Sequence, residues 1–172
     1  MPRKYFRKFL PDPEVVLAKR WAAPFRPWLG HPNLWHLNRR SVSGAVAIGL
    51  FAGLVPGPVQ MLAALLLAIP FRRNIPVAMI VTLYTNPLTI VPIYMLAYGY
   101  GRLLLPGEQA PVAGNFEMDI EWVLALGKPL VVGLVALGLT LALVGYVATS
   151  LAWRAWAVSA WRARARRRNE KT

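Results

Sequence analysis

The chain has 172 residues, 56% of them hydrophobic and 16% charged, with 20 Lys and Arg against 7 Asp and Glu. A soluble domain carries about 25% charged residues, so this composition excludes an ordinary water-soluble globule, and the length excludes a multidomain enzyme. The net charge of +13 points to an anionic partner, and the absence of cysteine excludes disulfides, thiol catalysis and cysteine-ligated metal centres.

The chain opens on a basic, aromatic stretch with no apolar core and cleavage site of the kind a secretory signal needs. Asp12 as N-cap, Pro13 in the first turn and Glu14 against the helix dipole predict a helix running to about Trp21. With Phe6, Phe9, Phe25, Trp28 and Trp35, residues 1–40 read as an interfacial segment lying on anionic lipid. The same residues also fit a loosely ordered basic tail.

Residues 41–71, 74–101 and 129–153 contain no Asp, Glu, Lys or Arg. A bilayer core of about 30 Å takes about 20 helical residues, so each stretch is long enough to enter a membrane. None shows the polar face of a helix packed on a soluble core. The fold class expected is an all-α integral membrane protein: a proline-broken re-entrant hairpin, two transmembrane helices, and basic terminal segments.

The first stretch, 41–71, is too long for one straight crossing, and Pro56-Gly57-Pro58 stands at its midpoint, where a regular helix cannot continue. Ser41, Ala45, Gly49, Gly53 and Gly57 form a stripe of small residues at every fourth position, a ridge that admits a second helix to backbone contact. Gln60 places an amide just past the break. Arg72, Arg73 and Asn74 follow as candidates for contact with an anion or a lipid headgroup.

The second stretch, 74–101, breaks at Thr85-Asn86-Pro87, where Thr85 or Asn86 can cap the half that follows. Two broken apolar segments in succession predict discontinuous helices with a site near the bilayer midplane, made by Pro56, Gly57, Pro58, Gln60, Asn86, Pro87 and Thr89. A plain proline kink, satisfied by neighbouring helices, fits the same residues.

Residues 103–127 hold four acids and no Lys or Arg before the closing Lys128, so they are expected on the exterior face. Residues 129–153 form a plainer span with small residues Gly138, Ala142 and Gly145. Residues 154–172 are a cytoplasmic tail, and Trp153, Trp156, Trp161, Arg164, Arg166, Arg167 and Arg168 are the expected anchors on an anionic inner leaflet. Basic residues stay inside, so both termini are expected in the cytoplasm. Three single crossings would carry the Arg-rich tail outside. One stretch must therefore return to its own side, and 41–71 is the candidate. A kinked single crossing is the competing geometry.

Ala47-Ile48-Gly49-Leu50-Phe51-Ala52-Gly53 with Pro56, then Arg73-Asn74-Ile75-Pro76, then Thr85-Asn86-Pro87-Leu88-Thr89 with Pro92-Ile93-Tyr94, resemble the bacterial membrane family named domain of unknown function 2062, over about residues 35–155. That resemblance implies a multi-pass protein of the inner membrane of a Gram-negative bacterium and supplies no activity. The broken-helix pattern is also faintly similar to the DedA-type membrane superfamily, without the acidic residues of that family's membrane motifs.

His31 and His36 have no carboxylate or thiol partner at ligand spacing, no nucleotide or hydrolase motif is present, and all 7 acids lie in the terminal segments or the exterior loop. Catalysis, cofactors, metals and nucleic-acid partners are accordingly not expected. Two function classes follow. One is translocation or binding of a lipid or small solute at the midplane site, in a protein that can form a homo-oligomer. The other is a structural or assembly module that packs against partner helices and recruits anionic lipid or a cytoplasmic partner. Polarity at the breaks separates them: a substrate site needs water to reach Gly57, Gln60, Asn86 and Thr89.

Overall fold

The computed structural model describes residues 29, 31–57, 59–106 and 127–169. The helix expected after Asp12, most of the acidic exterior stretch and Pro58 lie outside them. Among the described residues the chain is all-helical, with α1 at Arg39–Ala52, α2 at Val59–Ala68, α3 at Ile75–Val81, α4 at Ile90–Leu104 and α5 at Gly127–Asn169. Short 3-10 turns at Pro32–Leu34 and Thr82–Tyr84 precede α1 and extend α3.

Local chemistry sets each boundary. Asn38 caps α1, its Oδ1 accepting from the Ser41 amide at 2.8 Å, and Pro56 stops the helix by removing a donor. The α2 C-terminus closes as a Schellman turn: the Arg73 amide donates to Ala68 O (2.9 Å) and the Arg72 amide to Ile69 O (3.0 Å). Asn74 then caps α3, with Pro76 in its first turn.

Packing fixes the direction of each helix. Gly44 faces Arg73, Gly49 faces Ala78 and Val81, and Gly53 faces Tyr84, so α1 and α3 run parallel with α2 returning between them. The small side chains Ala45, Ala52, Ala64, Ala68 and Ala78 fill this junction with Ile75, Leu29 and Leu34. Trp35, one of the aromatics read with the N-terminal interfacial segment, packs against this core and donates its indole N–H to Leu29 O at 2.8 Å.

The helix α5 runs antiparallel to both α1 and α4. Gly138 sits against Phe51 and Leu54 while Gly145 sits against Leu50 and Val46. Gly133 meets Ala97, and Gly101 meets Pro129, in backbone-to-backbone contact. The helix is 43 residues long, about 65 Å. It continues through the sequence boundary at Trp153, because no Pro or Gly stands between there and Asn169.

Among the described residues one helix, Gly127–Arg162, is long and apolar enough to cross a membrane, and only 22% of its most apolar stretch is buried. The core helix of a soluble protein would be mostly buried. The second apolar stretch is instead divided, as Ile75–Tyr84 and Ile90–Leu104.

Candidate functional site at the paired helix breaks

The two breaks come together. Where α1 ends, Leu54 O would ordinarily accept from the residue four places on, which is Pro58 and has no N–H. Leu50 O also loses its helical donor, because the Leu54 amide turns to Phe51 O. Side-chain hydroxyls from the second broken segment replace these donors. Tyr94 donates to Leu54 O (2.8 Å), Tyr84 to Leu50 O (2.7 Å), and Thr85 to Gly53 O.

Thr85 is the node between the segments. Its Oγ1 lies 2.7 Å from the Gln60 side-chain amide as well as bonding Gly53 O. A hydroxyl has one proton, so the amide NH2 of Gln60 turned toward Oγ1 completes both bonds. Both residues are buried, Gln60 at 9% and Thr85 at 6% exposure.

The Asn-Pro break is closed by reciprocal capping. Asn86 Oδ1 accepts from the amides of Leu88 (3.0 Å) and Thr89 (3.1 Å), while Thr89 Oγ1 accepts from the Asn86 amide (3.0 Å). The Thr89 hydroxyl donates in turn to Tyr84 O at 2.7 Å. Asn86, one of the two residues the sequence offered as a cap, thus caps the turn at Pro87–Thr89 that leads into α4, whose own N-cap position, Thr89, makes no side-chain cap bond.

The residues named from the sequence divide between interior and surface. Gln60 is inside the junction, Thr89 is half-buried, and Pro56, Gly57, Asn86 and Pro87 are exposed. Gly57 does not continue the small-residue stripe. Its φ is +70° and a side chain there would meet nothing within 4 Å, because the chain has already left the helix to turn. Ala45, Gly49 and Gly53 remain on the ridge against α3 and Tyr84. Tyr84, Thr85 and Tyr94 are the site residues that sequence reasoning missed. A sequence signal existed for one acceptor alone: Leu54 O, which Tyr94 satisfies, stands four residues before Pro58, whereas the acceptors of Tyr84 and Thr85 precede no proline at that spacing.

A family profile described as "Uncharacterized protein conserved in bacteria" (DUF2062) matches residues 22–162. The chain belongs to that family. No curated protein and no solved structure matches the chain, and the faint likeness to the DedA-type superfamily gains no support from either comparison. The matched span of this DUF2062 protein takes in both breaks, all the bonds between them and α5 as far as Arg162.

Arg72, Arg73 and Asn74 lie at the opposite end of α2 from the breaks. Arg73 lies across Gly44, and its Nη1 donates to Arg40 O at 2.6 Å. Asn74 is fully buried, with Oδ1 accepting from the Val77 amide (3.0 Å) and Nδ2 donating to His36 O (3.5 Å). Its amide is occupied by capping and cannot face a headgroup, which corrects its expected role. Trp153 and Trp156 meet edge to face at 6.2 Å, with Trp156 and Trp161 exposed. Arg164, Arg166, Arg167 and Arg168 continue the α5 backbone, and their side chains lie outside the described residues.

Proposed function

We propose that this DUF2062 protein is a multi-pass protein of the bacterial inner membrane with both termini in the cytoplasm. Residues 41–71 dip into the bilayer and return as a re-entrant hairpin, and the junction of the two breaks binds and translocates a lipid or a small solute. The observation that carries this reading is the hydrogen bond from Arg73 to Arg40 O, which brings the end of the hairpin beside its beginning.

Charge and length agree with it. The α1 helix has 14 residues, about 21 Å, which reaches past the middle of a core about 30 Å thick and no farther. Running antiparallel to α1, α5 passes the break at Gly138 and brings Trp153 and Arg154 toward the level of Arg39 and Arg40. The large exposed apolar side chains along α2, α4 and α5, among them Leu62, Leu66, Leu96, Leu139 and Leu143, suit hydrocarbon. Discontinuous helices meeting at half depth, with a buried amide and an open loop, are the arrangement in which transporters hold their substrates.

A structural or assembly module is the second reading, favoured by the mutual satisfaction of Tyr84, Thr85 and Tyr94 with the freed carbonyls. Cysteine accessibility separates the two. The chain has no cysteine, so single replacements of Gly57 and Leu88 give an unambiguous signal. A translocation site predicts that both react with a membrane-impermeant thiol reagent in permeabilised cells. Complete protection of both positions supports the module and removes the site.

A further inference from the structure

The α2 C-terminus is closed by an arginine where this kind of turn ordinarily has glycine. Arg72 occupies the left-handed position of the Schellman turn with φ 51°, and among the described residues it is the one non-glycine with positive φ. An L-residue there is strained by its own Cβ, and glycine would relieve that strain. Nothing in the turn's hydrogen bonding calls for an arginine, since both bonds use backbone atoms. Its side chain is exposed.

Other arginines stand at the same end of the hairpin. Arg73 reaches back over α1 to Arg40 O, so Arg39, Arg40, Arg72 and Arg73 gather at one end of the hairpin from two separate segments. The described residues include no Asp or Glu, so no carboxylate among them neutralises these guanidinium groups. A guanidinium binds phosphate through two parallel N–H donors of its fork.

We infer that Arg40, Arg72 and Arg73 form a binding notch for the phosphate of an anionic phospholipid headgroup. This rests on the hairpin reading above and deepens it, by assigning lipid recognition to the base of the hairpin and not to its tip. The notch prefers phosphatidylglycerol over zwitterionic phosphatidylcholine, and Arg72 holds its strained backbone to present a cation there.

The test is lipid retention by the purified full chain in nanodiscs of mixed phosphatidylglycerol and phosphatidylcholine, read by native mass spectrometry beside thermal unfolding. Arg72→Gly is expected to melt no lower than wild type while the preference for phosphatidylglycerol falls about fivefold, with a similar loss for Arg40→Gln, which keeps the backbone acceptor of Arg73. Unchanged preference in both variants overturns the notch. So does a lower melting temperature for Arg72→Gly with preference intact, which would make Arg72 a purely structural residue. Displacement of the lipid by inorganic phosphate at constant ionic strength would reassign the notch to a free anion and also overturns it. Nanodiscs present both leaflets, so these outcomes do not depend on topology or on the midplane site.

Discussion

The Tyr94 hydroxyl donates to Leu54 O at 2.8 Å across 40 residues of sequence. It stands in for the backbone donor that Pro58 lacks, and so a residue on one broken segment closes the helix end of the other. A carbonyl left without a donor in a buried place is costly, because it has given up its bond to water and gained none in return.

Tyr94→Phe removes this donor and nothing else of consequence, since the ring is buried either way. The variant is expected to lose about 1–3 kcal/mol of stability. Thermal unfolding in detergent measures it, and a melting curve identical to wild type would mean that water or lipid satisfies Leu54 O.

Thr85 touches both breaks, so its loss is predicted to exceed that of Gln60 alone. Thr85→Val deprives Gly53 O and Gln60 together, whereas Gln60→Ala leaves the Thr85–Gly53 bond intact. A double-mutant cycle between the two is expected to give a coupling of about 0.6 kcal/mol and no more than about 1.7 kcal/mol, the average and the maximum found for hydrogen bonds between transmembrane helices. Simple additivity would separate the two segments energetically.

The glycines offer a ranked series. A Cβ at Gly133 or Gly101 would enter the backbone of the opposing helix, one at Gly49 would lie 2.6 Å from Ala78 O, and one at Gly99 would meet nothing within 4 Å. Gly133→Ala and Gly101→Ala are therefore expected to destabilise most, and Gly49→Ala by about 1–3 kcal/mol. Gly99→Ala should be neutral or slightly stabilising. Gly53→Leu is expected to lower the amount of folded protein, because the Tyr84 ring already fills that space. Expression level and thermal stability read all five, and a flat series would refute close helix approach as the source of stability.

The helix breaks and the small-residue ridge as far as Gly53 were legible in the sequence because prolines and glycines act locally, through missing donors and missing side chains. What bonds one break to the other was not legible. Tyr84, Thr85 and Tyr94 find their acceptors 32 to 40 residues away, and spacing along one segment carries no information about the other. Gly57 looked like the fifth member of the ridge by count alone, yet the helix ends before it and its left-handed backbone places it in the turn. Asn74, beside two arginines, looked like part of an anion contact until its amide proved to cap α3. Arg72 carried no sequence signal for strain, because an arginine in a left-handed cap is unusual and only the backbone reveals it.

The most direct test of the account concerns the side of the membrane on which the tight turn between α2 and α3 lies. Phe71 is exposed beside Arg72, so Phe71→Cys reports that turn, while Gln109→Cys reports the acidic stretch before α5. With an impermeant thiol reagent, position 109 should label in intact cells and position 71 only after the inner membrane is permeabilised. Labelling of position 71 from outside intact cells would mean that residues 41–71 pass straight through, and the re-entrant hairpin would be wrong.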